Sequence, residues 1–219
     1  MLRRIAHELK HHAPFTFLGT VVGVGALAWI VYGGMKPEMS KTLFDFAHPA
    51  HVLLSAIASA SMYQRYSKGG WLATVLVGFL VAIGVSTLSD SLIPMAGEYL
   101  FSAADEHVTA HSHIGFIGLW WLVPPVALAG AVIGRIWPAT ELPHAGHVMF
   151  SAAASLFHIS MSISAGVSAW TIAGLSAFLF LAVWLPCCTS DIILPLLLVP
   201  KGRWLPCHHC SSDANDTPA

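Results

Sequence analysis
The chain has little charge. Lys, Arg, Asp and Glu together make up 10% of its 219 residues, against roughly 25% in a soluble domain. With 56% hydrophobic residues and a mean hydropathy of +0.70, it cannot clothe a soluble globule in polar surface, so that class is excluded. Lys plus Arg number 10 and Asp plus Glu 11, which gives no basic face for nucleic acid. Cysteine is scarce too. The four occur as two close pairs, Cys187/Cys188 and Cys207/Cys210, which suits metal binding better than a disulfide framework. No HExxH sequence, nucleotide-binding loop or serine-nucleophile motif is present.

Apolar runs and histidine fill the space these absences leave. Several runs approach the roughly 20 residues that cross a bilayer as helix. We read six spans: Phe15 to about Gly34, His48–Tyr66, Trp71 to about Ile93, Ile114–Trp137 with Pro124-Pro125 as a kink, Pro143–Ile163, and Trp170–Val199. The last is long and carries Pro186 and Pro195, so it is expected to be broken or tilted. With the N-terminus inside, eight Lys and Arg fall in inner segments, and only Lys36 and Lys41 in outer ones. That bias puts both termini in the cytoplasm. The expected place is a cell membrane of the bacterial inner-membrane type.

Thirteen histidines outnumber the ten Lys plus Arg, and their placement repeats. His48-x-x-His51 followed by Ser55 and Ser59 recurs 96 residues later as His144-x-x-His147 followed by Ser151 and Ser155. His12-x-x-Phe15 is echoed by His113-x-x-Phe116, and Ser89-Asp90 before Pro94 by Ser190-Asp191 before Pro195. The span from His12 to Asp90 equals that from His113 to Asp191, 78 residues. We read a duplicated three-helix unit, residues 1–96 and 97–200, with a cytoplasmic tail at 201–219. An odd number of helices per unit inverts the second copy, an architecture common in secondary transporters. The fold class is an all-α polytopic membrane protein of six spans in two inverted repeats.

Inversion sorts the polar residues into an outer set, His48, His51, Asp90 and His113, and an inner set, His144, His147, Asp191 and His12. Three imidazoles and a carboxylate suit zinc, manganese or iron, and residues at i and i+3 share a helix face. At 1.5 Å per residue in a core about 30 Å thick, the two sets are expected about 10 Å apart, as separate stations. His158 continues the second stripe into the membrane. Cys187 and Cys188 add soft ligands to the inner set where the first copy has Ser86 and Thr87. The tail's Cys207-His208-His209-Cys210 is a further metal candidate. The link after Ile93 carries Glu98, Asp105, Glu106, His107 and His111, either a cation-gathering mouth or a solvated loop. Gly19-x-x-x-Gly23 and Gly130-x-x-x-Gly134 permit close helix contact, in a homo-oligomer or with another membrane subunit.

A divalent transition-metal transporter is the leading expectation, with the metal ion as cargo and the bilayer as partner. A membrane metalloenzyme is the alternative: His7-x-x-x-His11-His12 resembles a histidine box of membrane desaturases and alkane hydroxylases, which implies a dimetal oxidase centre. A haem-binding subunit with paired axial histidines and an accessory subunit with structural metal are further readings.

Overall fold
The computed structural model describes residues 36–67, 69–110, 112–139, 141–164, 166–188 and 193–199, together with Pro14, Leu18, Val21 and Gly33. The expected first span, His7, His11, His12, His111, Asp191, the Cys188 side chain, and Cys207, His208, His209 and Cys210 lie outside the described residues. Among those described, every extended element is a helix, and an isolated β-bridge joins Val108 to Ile163.

Helix α1 runs Pro37–Tyr66, eleven residues earlier than expected. Pro37 at its first turn and Glu38 behind it make a good N-terminus, because proline needs no N–H there and a carboxylate favours the positive end of the helix dipole. The extension lets Phe44 and Ala47 join the core.

Helix α2, Trp71–Thr87, passes through a π-helical turn, Leu88–Leu92, into α3, Ile93–Ser102. This run also outlasts its expected end near Ile93. The break has a local cause. Pro94 has no N–H, and the Ile93 N–H donates to the Leu88 carbonyl, one residue further back than in an α-helix. The Ser89 carbonyl then has no helical donor, and the Ser155 hydroxyl donates to it at 3.0 Å.

The expected fourth span is divided. Helix α4 covers Gly115–Gly118, and α5 restarts at Val123–Ile136 with Pro124 and Pro125 in its first turn. The prolines open a helix where they were expected to kink one. Helix α6 is Glu141–Ser162, α7 is Ala169–Cys188 with Pro186 inside, and α8 is Leu194–Leu197; the break or tilt expected in the last run falls at residues 189–192, outside the described residues. Among the described residues, two stretches, Pro37–Tyr66 and the continuous Trp71–Ser102, are long and apolar enough to cross a membrane.

Helix α1 stands at the centre, packed against α6, α5 and α2. One apolar core joins Val52, Ala56 and Ala60 of α1 to Val75 and Ala82 of α2 and Val123, Ala127 and Ala131 of α5. Small residues set this spacing. A Cβ on Gly130 would lie 2.5 Å from the Leu53 carbonyl oxygen, and one on Gly134 2.4 Å from that of Ile57. The Gly130-x-x-x-Gly134 pair thus seats α5 on α1 inside the chain, not a second copy. A separate core joins Leu156 and Ile159 of α6 to Leu175 and Leu179 of α7. The two HxxH helices, α1 and α6, therefore pack directly together, and Leu54 fills the space above Gly146.

Between α3 and α4 the chain is tied to the α6–α7 loop. Asp105 Oδ2 accepts from the Ser168 N–H at 3.0 Å and the Thr171 hydroxyl at 2.7 Å, and its Oδ1 from the His107 N–H. These bonds, that of Thr171 first, hold the Asp105 carboxyl below the usual carboxylate range. Asp105, read as part of a cation-gathering mouth or a solvated loop, instead ties the link to the start of α7.

Candidate metal centre
Asp90 lies inside the π-helical turn and is fully buried. Its Oδ2 accepts from His48 Nδ1 at 2.8 Å and His51 Nδ1 at 2.6 Å. Its Oδ1 accepts from the Ser89 hydroxyl at 2.8 Å and the Ser151 hydroxyl at 3.3 Å. Both histidines sit one turn apart on α1, which is why one oxygen reaches both. The broken helix lets Asp90 turn toward them, while the serine stripe of α6 holds the other oxygen.

This arrangement decides proton positions. An ionised carboxylate only accepts, so each Nδ1 carries a hydrogen, and in the neutral imidazole each Nε2 keeps its lone pair. Neither His48 Nε2 nor His51 Nε2 has a hydrogen-bond partner, and both imidazoles are fully buried. A carboxylate behind an imidazole whose far nitrogen is open is the arrangement that orients histidine ligands to metals. Asp90 therefore sits behind the two imidazoles, where it was expected beside them as a metal ligand.

The two free nitrogens point to different surroundings. The His51 ring meets His147 of α6 at 4.5 Å between centroids. One ligand atom each from His51, His147 and Cys187 lie within 4.8 Å of one another, and all three residues are buried. In a tetrahedral zinc site with bonds of 2.0–2.3 Å, ligand atoms stand about 3.5 Å apart, so these three would close by about 1 Å around an ion. His144 stacks on His147 at 5.7 Å and stands next to the trio. Two imidazoles and a thiolate suit a borderline ion such as zinc.

His48 faces the other way, under the start of α4. A Cβ on Gly115 would lie 2.8 Å from His48 Nε2 and 2.9 Å from Phe44 Cζ. Phe44 stacks on His48 at 5.4 Å and meets His113 edge-on at 5.2 Å. His113 is thus held near His48 across a phenyl ring, outside the trio. Burial first, and then His158, lowers the His113 pKa from its ordinary value.

One member of each set meets the other, although the sets were expected on opposite sides: His51 of the outer set touches His147 of the inner one. The anticipated gap of about 10 Å between stations is absent here. Its premise was that each HxxH lies near its own end of a straight span, but α1 begins eleven residues before His48, which carries His48 and His51 to mid-helix.

His158 also departs from its expected role. Its Nδ1 pairs with Glu98 Oε1 at 2.8 Å and its Nε2 with the His113 carbonyl oxygen at 2.8 Å. With both nitrogens engaged, it has none to offer a metal. Glu98, read as part of an outer link, is fully buried on α3. The clue in the sequence was its place in an apolar run eight residues after Asp90, hidden because Pro94 reads as a helix end. Gly115 went unnoticed for a simpler reason: only the fold brings it against His48. No family model, no curated protein and no solved structure matches the chain.

Proposed function
We propose that the chain is a polytopic membrane protein that carries a divalent transition-metal ion through one site shared by its two halves. A single observation carries the reading: Asp90 holds His51 in the tautomer that presents Nε2, beside His147 and Cys187 from the other half, in a fully buried cluster. Ion sites at the junction of two repeats, next to a broken helix, are the working centres of secondary transporters. Here the helical run stays continuous but shifts its hydrogen-bond register at a π turn that holds a buried carboxylate.

The surface supports the membrane part of the reading. Leu72, Leu76 and Leu80 project from α2, while Trp71 and Trp137 are exposed toward one end of the bundle and Trp120, Trp121 and Trp170 toward the other. The first pair share an end, since the Ala139 N–H donates to Ser61 near the end of α1. Tryptophan at both ends of apolar helices marks the two bilayer interfaces. Six spans with both termini cytoplasmic remain the topology that the Lys and Arg distribution favours.

Zinc is the probe for the test. Calorimetry on the purified chain should give one Zn²⁺ per chain, and proteoliposomes should take up radioactive zinc. His147→Ala should abolish both signals with the protein still folded. A wild-type chain that binds no Zn²⁺, or His147→Ala uptake equal to wild type, would overturn the reading.

A further inference from the structure
Glu98 and His158 form a second buried acid–imidazole pair that the metal centre does not use. The pair joins α3 to α6, and both side chains are fully buried. Its hydrogen bonds dictate its chemistry. A backbone carbonyl can only accept, so the Nε2 facing the His113 oxygen must carry a hydrogen. The contact between Nδ1 and Glu98 Oε1 at 2.8 Å then needs one further hydrogen. The pair holds it either as imidazolium with carboxylate or as neutral imidazole with carboxylic acid, and both forms have zero net charge. If that proton leaves to water, a lone pair on nitrogen faces a carboxylate lone pair, and the tie between α3 and α6 breaks.

We propose that Glu98 and His158 are a proton-binding site whose proton is released and regained as the metal ion passes, making transport proton-coupled. The proposal rests on the transport reading above. Three observations connect the pair to the metal centre. Glu98 lies on the helix that continues from the π turn bearing Asp90. The buried Phe44 ring touches His158 at 5.6 Å and His48 at 5.4 Å. Ser151 and Ser155, which bind the π turn, belong to the same helix as His158. Freeing α3 from α6 therefore loosens the segment that orients His48 and His51. Buried ionisable groups in spanning helices are expensive, and proton relays are one of their recognised uses.

Groups from three parts of the described chain face the pair. From the link comes His113, whose ring lies 6.1 Å from that of His158. From α1 come His48, Lys41 and Asp45, whose charges reach His113. Helix α7 presents Leu175, Phe178 and Leu179 to this part of α3 and α6.

The test uses the full chain in proteoliposomes with Zn²⁺ as cargo and a pH-sensitive dye inside. Glu98→Gln keeps the shape and can donate to a neutral His158 but has no labile proton. Wild type should move protons with zinc and respond to a pH gradient. Glu98→Gln should bind Zn²⁺ with unchanged affinity yet lose both the proton movement and the gradient response. His158→Asn, a second variant should the first not fold, should lose them too. Proton movement equal to wild type in the folded variant would overturn the proposal. If the wild-type chain binds no zinc, the transport reading fails by itself. The pair is then judged by infrared difference spectra with pH: a carboxyl–carboxylate change absent from Glu98→Gln supports the proton site, and identical spectra overturn it.

Discussion

The two buried carboxylates of this chain use histidine in opposite ways. Asp90 sits behind two imidazoles, takes the Nδ1 hydrogens of both, and leaves two Nε2 lone pairs open. Glu98 faces one imidazole whose other nitrogen is already committed to a carbonyl, so every nitrogen is spent and a proton is trapped between acid and base. In the proposed reading, the same pair of residue types prepares a metal ligand in one place and a proton store in the other. What differs is what the second nitrogen meets. That of His158 is engaged by the His113 carbonyl, whereas Nε2 of His51 makes no hydrogen bond and its ring meets that of His147.

The sharpest way to break this contrast is to remove charge from the first cluster alone. Asp90→Asn replaces the charged acceptor that fixes both tautomers with a neutral amide. Loss of such an outer-shell carboxylate costs about 10–100-fold in metal affinity, and zinc calorimetry should register a drop of that size, while Glu98→Gln leaves the affinity in place. Equal affinities for Asp90→Asn and wild type would mean that Asp90 does not orient the ligands.

Gly115→Ala probes the wall between the two clusters. Its methyl group would press on His48 and Phe44 at under 3 Å, and overpacking of this kind costs about 1–3 kcal/mol. Gly118→Ala meets His113 at 3.3 Å and should cost less. Thermal unfolding of the two variants in detergent should separate them in that order; the reverse order would contradict the placement of α4 over His48.

The smallest effect is one of pH. The His113 pKa is lowered in the folded chain, so the unfolded chain binds its proton more readily. Stability is unaffected above the ordinary value of about 6.5 and falls as pH drops from there toward the folded pKa. His113→Gln should flatten that decline in a series of melting curves between pH 7 and pH 5, and an unchanged slope would remove His113 as its source. Asp105 has the opposite protonic role: its lowered pKa stabilises the fold above the ordinary value of about 3.9 and is lost in stronger acid. The two groups can therefore be told apart by their pH windows.

Composition and periodicity were enough to make the chain helical and to find His48, His51, Asp90, His147 and Cys187 as polar intrusions in apolar runs. Such intrusions are legible because a membrane-like sequence gives them no bland surface to occupy. The recurrence of HxxH at one spacing selected the helices, α1 and α6, that now pack together. Only the fold assigned the roles. Whether Asp90 ligates or stands behind the ligands depends on the π turn that aims it, and that turn arises where Pro94 withholds an N–H and Ser155, distant in sequence, satisfies the freed carbonyl. Whether a histidine offers a lone pair or a proton depends on what its second nitrogen meets. For His158 that is the His113 carbonyl, 45 residues away in the chain, a contact that local pattern cannot encode because it exists only once α6 has packed against the start of α4.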